Sequence, residues 1–144
     1  MKRRKFLEST FVASVATSQI GIANASNPPK KGFGVKANQY RQKESIVYGD
    51  VPVDFKLLGS DTDNRLSVFI SSNNRKGHGG PPLHVHHSFD EFFCVLSGSF
   101  VFELDGQRIA AQTGDSVFIP RGVKHTLYVS VVRAKQFVGR YNPQ

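Results

Sequence analysis

The sequence predicts an all-β domain of the sandwich, barrel or jelly-roll kind, and three observations predict it. Short apolar stretches with period-two alternation recur from residue 46 to residue 141, separated by turn residues. No stretch after residue 26 has a convincing helical period. Asp105-Gly106, between FVFEL and QRIA, is a two-residue hairpin signal, because a type I′ turn needs residues that tolerate positive φ. Many short strands at this spacing are the pattern of two packed sheets or a closed barrel.

Taken in order, the chain opens on MKRRKFLESTFVASVATSQIGIANA, a basic start, a mildly apolar middle and a small-residue end. Residues 1–25 are expected to be an export signal. Arg3-Arg4 followed by Lys5-Phe6-Leu7 resembles the twin-arginine signature, with Lys2 where a Ser or Thr is common, and Ala23-Asn24-Ala25 supplies an A-x-A cleavage site before Ser26. The middle is too polar and too short for a membrane span, which needs about 20 predominantly apolar residues, so no stable membrane anchor is expected. The expected location is the periplasm or the exterior. The alternative, a basic arm or amphipathic helix on a cytoplasmic protein, would leave the rest of the reading intact.

Removing residues 1–25 leaves 119, and losing Lys2, Arg3, Arg4, Lys5 and Glu8 lowers the net charge from +8 to +5. The remaining lysines and arginines are scattered, with no run of five, so no nucleic-acid partner is expected. The lone Cys94, between Phe93 and Val95, can form no internal disulfide and reads as a small buried apolar residue. Residues 26–42, with Pro28-Pro29, Lys30-Lys31, Gly32 and Gly34, read as a linker or edge segment ahead of a single domain over 43–144. The strands expected in that domain are Ile46–Tyr48, Val53–Leu58, Leu66–Ser71, Glu91–Ser97, Phe100–Leu104, Arg108–Ala111, Ser116–Pro120, Thr126–Val132 and Gln136–Tyr141. After His125 there is room for one long strand and a short final one.

The chemistry-bearing residues cluster in PPLHVHHSFDEFFCVLSG. His84 and His86 are two apart, so on a strand both point to one face, whereas His87 points away. Glu91 would fall on the opposite face of an uninterrupted strand, but a turn through His87-Ser88-Phe89-Asp90 returns its carboxylate to the same interior. Asp90 reads as a residue of that turn. His125, after Gly114, Pro120 and Gly122, is the fourth candidate. Three imidazoles and one carboxylate suit Fe, Mn, Ni, Cu or Zn, and the set lacks the thiolates of a typical structural zinc site.

These residues fit both motifs of the cupin superfamily. His84-Val85-His86, four residues, Glu91, six residues and Gly98 resemble the first motif; Gly114, Pro120, Gly122 and His125 stand in the register of the second. Val129 replaces its final Asn, and His78 stands where the first motif usually opens with Gly, with Gly79 and Gly80 following. The resemblance implies a cupin-type double-stranded β-helix, a jelly-roll β-barrel, in which His84, His86, Glu91 and His125 hold one divalent metal ion. His78 and His87 are not among the ligands.

GGPPLHVHHSFDEFFCVLSG with AQTGDSVFIPRGVKHTL is most similar to small cupins like quercetin dioxygenase, which implies a metal-dependent dioxygenase acting on a small aromatic or enolic molecule. Glu91 would then double as the catalytic base. Phe89, Phe93, Phe118 and Tyr128 are candidates for the walls of the substrate pocket, each with plain core as the competing role. Other cupin enzymes (an isomerase, a decarboxylase, a thiol oxygenase) and a non-catalytic binding module compete with this reading, because a fold hosts many functions. Export in the folded state would let the metal enter in the cytoplasm, where Cu and Zn are scarce, so Mn or Fe is favoured, with Ni, Cu and Zn as alternatives. Uncovered sheet edges make a homodimer the expected assembly.

Overall fold

Among the described residues nine strands form where the sequence alternates: β1 Ile46–Tyr48, β2 Val51–Leu57, β3 Leu66–Asn73, β4 Asp90–Ser97, β5 Ser99–Leu104, β6 Gln107–Gln112, β7 Ser116–Ile119, β8 His125–Val129 and β9 Ala134–Tyr141. The structure, a computed structural model, describes residues 31–41, 46–48, 51–73, 80–130 and 134–143. The expected export signal and His78 lie outside the described residues. Apart from a short 3-10 turn at Gly59–Asp61, no helix occurs among the described residues, and none is long and apolar enough to cross a membrane.

The strands assemble into two antiparallel sheets, one of six strands in the order β1-β2-β3-β9-β4-β7 and one of three in the order β6-β5-β8. Their inner faces bury the alternating apolar set. Phe93 and Val95 of β4, Val117 and Ile119 of β7 and Val138 of β9 meet Phe100 and Phe102 of β5 and Leu127 and Val129 of β8. The rings of Phe93 and Phe102 cross between the sheets with centroids 5.1 Å apart. This is a double-sheet jelly roll, one of the three architectures that the alternation predicts and the one that the resemblance implies, because each strand has one apolar face and a second sheet is what covers it. Val129, where the second cupin motif has Asn, is fully buried in this core.

Two expectations change. The tail is one short strand followed by a long one, the reverse of the expected order. β8 has five residues, while β9 has eight because it lies between β3 and β4 and gains ladder partners along both edges. Cys94 is half-buried, not buried, since it shares the outward parity of Phe92 and Leu96 on β4. The polar segment 31–41 is tied down as an edge: Lys56 Nζ donates to the carbonyls of Lys36, Ala37 and Gln39, and Arg41 pairs with Asp61 at 2.6 Å.

One glycine sets how the chain reaches the first histidine. Gly80 crosses β8 so closely that a Cβ there would lie 1.9 Å from the carbonyl oxygen of Leu127. From this crossing the chain follows β8: Thr126 Oγ1 donates to Pro81 O at 2.8 Å, and His84 and His125 exchange backbone hydrogen bonds of 3.0 and 2.8 Å. Gly80→Ala is therefore expected to cost about 1–3 kcal/mol, as overpacking against rigid backbone does, whereas Gly32→Ala, in open space, stays within about 0.5 kcal/mol of the parent. Urea midpoints of the two variants check this; equal midpoints would contradict the crossing.

Candidate metal centre

The bridge between His84 and His125 brings the two halves of the site to one end of the barrel. Past His84 the chain bends through residues 85–89, and His86 turns back so that its Nε2 lies 3.1 Å from Nε2 of His84. The backbone N–H of Gly122 donates to His86 O at 2.7 Å, closing the loop before β8 onto the first stretch. Gly122 has φ +85°, a conformation that disfavours other residues. A second clamp joins the same loops: Asp90 accepts from Arg121 N, Nε and Nη2 at 2.9, 3.0 and 2.9 Å. Asp90 is thus a fastening of the turn, and Arg121 holds its carboxyl below the ordinary carboxylate range.

Glu91 begins the inward set of β4. Its carboxylate Oε2 lies 3.0 Å from His125 Nε2 and 3.4 Å from His86 Nε2. One ligating atom from each of His84, His86, Glu91 and His125 lies within 4.8 Å of all the others. His87 is exposed and takes no part.

The hydrogen bonds behind the rings aim these atoms. A carbonyl can only accept, so His84 Nδ1 carries the hydrogen toward Pro82 O at 2.8 Å, and His125 Nδ1 carries the hydrogen toward Val123 O at 2.9 Å. Both rings therefore direct Nε2 at the common centre, the arrangement that orients a metal-binding histidine. Burial and the neighbouring imidazoles push the His84 pKa down, so its Nε2 offers a lone pair. Burial opposes charge on His125 as well, but the Glu91 hydrogen bond and the Val123 carbonyl outweigh it and raise its pKa. A proton on His125 Nε2 facing Glu91 thus occupies the place a cation would take. Three nitrogens and one oxygen with no thiolate fit a divalent transition metal, and the buried carboxylate supplies the matching charge.

The other side of Glu91 holds a group the sequence reading missed. Arg140 stands directly opposite Glu91 in the β4–β9 ladder, and its Nε donates to Oε1 at 2.7 Å. Burial favours the protonated form of Glu91, yet the donors from His125, His86 and Arg140 hold its carboxyl well below the ordinary range. The signal is parity: Ala134, Gln136 and Val138, at alternate positions of β9, are buried, and Arg140 continues their register.

Of the expected pocket residues, Phe89 lies at the site, stacked on His86 at 4.2 Å. Phe93 is core. Phe118 and Tyr128 are corrections. Phe118 is 57% exposed on the outer face, between the inward Val117 and Ile119. Tyr128 alternates with Leu127 and Val129, which takes it off the face that carries His125.

Residues 75–130 match the family model described as "Cupin domain". The chain is 42% identical to "Oxidoreductase iacF" from Pestalotiopsis fici over 57 residues, which is 39% of this chain and 28% of that relative. The chain therefore spans about a quarter of the curated relative it matches. Among solved structures, KdgF from Halomonas sp. is similar with a TM-score of 0.63 at 16% identity, covering 79% of this chain and 96% of that one. An iron(II) form of HppE is similar with a TM-score of 0.64 at 16% identity, covering 81% of this chain and 65% of that one. At such identities the likeness shows the fold alone.

The geometry makes metal binding and His125 deprotonation one event. Titrating Mn(II) into metal-free protein is expected to release about one proton per site, with affinity rising as pH rises through the elevated His125 value, where the competing proton leaves. Calorimetry in buffers of different ionisation enthalpy reads this. Affinity independent of pH would contradict it.

Proposed function

Because the chain is a small domain of the cupin superfamily, we propose that it is a metal-dependent oxidoreductase of the dioxygenase type, exported and acting on a small aromatic or enolic molecule. The convergence of three Nε2 atoms and the Glu91 carboxylate within 4.8 Å carries this reading. Two likenesses support it: a local one to a protein named an oxidoreductase and a fold-level one to a protein solved with iron(II). His84, His86, Glu91 and His125 hold the metal, Mn or Fe before Ni, Cu or Zn. Such an ion supplies a Lewis acid for a substrate hydroxyl or enol oxygen and the redox capacity for reaction with dioxygen.

The chain's own residues do the rest. Phe89, stacked on His86, presents an apolar ring beside the centre against which a planar substrate packs. His84 and His125 keep their rings fixed through the Pro82 and Val123 carbonyls, so the centre does not reorganise when the ligand set is engaged. In this reading Glu91 accepts the substrate's hydroxyl proton on Oε2, while Arg140, bound to Oε1, restrains the other oxygen. Asp90 is committed to Arg121, so it does not serve as a second acid.

The assembly follows from the sheet surface. Among the described residues β7 pairs only with β4, and beside it Phe92, Phe118 and Tyr141 are 42–57% exposed on the outer face. We propose that this apolar face meets a second copy in a homodimer, since contiguous exposed aromatics of this kind mark interfaces.

Two outcomes follow. Protein carrying a full complement of Mn or Fe is expected to consume oxygen with members of a flavonol panel, and Glu91→Ala to lower the rate by about 10²-fold or more; no uptake with any of Fe, Mn, Ni or Cu would refute the flavonol dioxygenase reading. Protein recovered from its own host outside the cytoplasm is expected to begin at Ser26, to hold mainly Mn or Fe by elemental analysis and to scatter light as a dimer. A chain retaining residues 1–25, or one holding mainly Cu or Zn, would overturn the export or the metal assignment respectively.

A further inference from the structure

Arg140 is placed to do more than hold Glu91. Its guanidinium carbon lies 5.1 Å from the Phe69 ring centroid and 5.2 Å from that of Phe89, the ring stacked on His86. The head group is thus gripped between two aromatic faces at the edge of the ligand cluster. Its side chain is 38% exposed, and among the described residues Nε, bound to Glu91 Oε1, is the guanidinium nitrogen with a hydrogen-bond partner. Among the described residues the two terminal nitrogens have no hydrogen-bond partner. A guanidinium is a planar fork whose paired donors match a carboxylate, and such charge-assisted pairs are stronger than neutral hydrogen bonds.

The charge balance points the same way. Glu91 and Arg140 cancel, and His84, His86 and His125 bind a metal as neutral imidazoles. A divalent ion would therefore leave the half-buried centre with an excess of two positive charges. A substrate that brings one ionised hydroxyl or enol and one carboxylate removes that excess; a flavonol, with no carboxylate, removes half of it. Resting on the reading of the site as a metal-dependent oxidoreductase, we propose that Arg140 holds the substrate's carboxylate through its terminal nitrogens and that the substrate class is a hydroxylated aromatic or enolic acid. Phe89 packs on the planar part, the ionised oxygen faces the metal ligands, and the acid group lies on Arg140.

The test uses 3-hydroxybenzoate and its uncharged amide, which share a ring and a hydroxyl and whose meta spacing prevents chelation. Affinities are read by calorimetry on Mn(II)-loaded full-length protein kept free of oxygen, so no turnover is needed. The acid is expected to bind about tenfold or more tightly than the amide, as a charge-assisted fork allows. In Arg140→Gln that ratio falls to about one, and in Arg140→Lys, which keeps the charge and loses the fork, it lies between. Mn(II) affinity and thermal unfolding are measured on each variant. If Arg140 only supports Glu91, both variants weaken Mn(II) binding and leave the acid-to-amide ratio unchanged, which overturns the proposal; should Arg140→Gln fail to fold, Arg140→Lys alone decides. Oxygen uptake with neutral flavonols but no preference for the acid would sink this inference and spare the oxidoreductase reading. Preference for the acid without turnover of any hydroxy acid would do the opposite.

Discussion

A carboxylate sealed at 3% exposure has to be met by donors and positive charge, and Glu91 is that carboxylate. One oxygen faces the imidazoles of His86 and His125; the other takes the Arg140 guanidinium. Glu91, at the start of β4, draws these partners from three other places in the chain: the bent stretch after His84, the start of β8 and the end of β9. Strands far apart in sequence must therefore converge on one end of the barrel, and the topology supplies this by inserting β9 between β3 and β4 and laying residues 80–84 along β8. Leaving any one partner out would strand a buried charge, a loss commonly of about 3–5 kcal/mol.

The loops around Glu91 are fastened by contacts that do no chemistry themselves. Asp90 with Arg121, Gly122 with His86, Thr126 with Pro81 and the close passage of Gly80 over Leu127 join the same two segments. Imidazoles aimed by backbone carbonyls and loops locked to each other make a site whose geometry is set before any ligand arrives. That is what both tight metal binding and efficient electrostatic stabilisation require. Cys94 stands alone, so no disulfide staples this scaffold and the core of Phe93, Phe100, Phe102 and their neighbours carries the stability.

Much of this was legible in the sequence because a half-buried strand writes its parity into the chain. Each of the nine strands among the described residues is marked by alternation, and the bend that returns Glu91 to the interior lies at His87-Ser88, just before Asp90 opens β4. The two cupin-like spacings singled out the four residues that the fold gathers. Parity was also where the reading slipped. Tyr128 is three residues from His125 and Phe118 lies between two inward residues, so both face away. Arg140 was hidden for another reason: its value comes from standing opposite Glu91, 49 residues away, and that register depends on β9 entering the large sheet between β3 and β4. Local periodicity says which face a residue occupies, but the neighbour across the ladder is decided by long-range pairing.

The central claim is that the Glu91 carboxylate is shared, Oε2 toward a cation among the imidazoles and Oε1 toward Arg140. Anomalous diffraction from crystals soaked in Mn(II) tests it most directly. The account predicts one strong peak about 2.0–2.2 Å from Nε2 of His84, His86 and His125 and from one Glu91 oxygen, with Arg140 still bound to the other oxygen. A peak elsewhere, or Glu91 keeping His125 and Arg140 as its partners with no ion among the histidines, would contradict it.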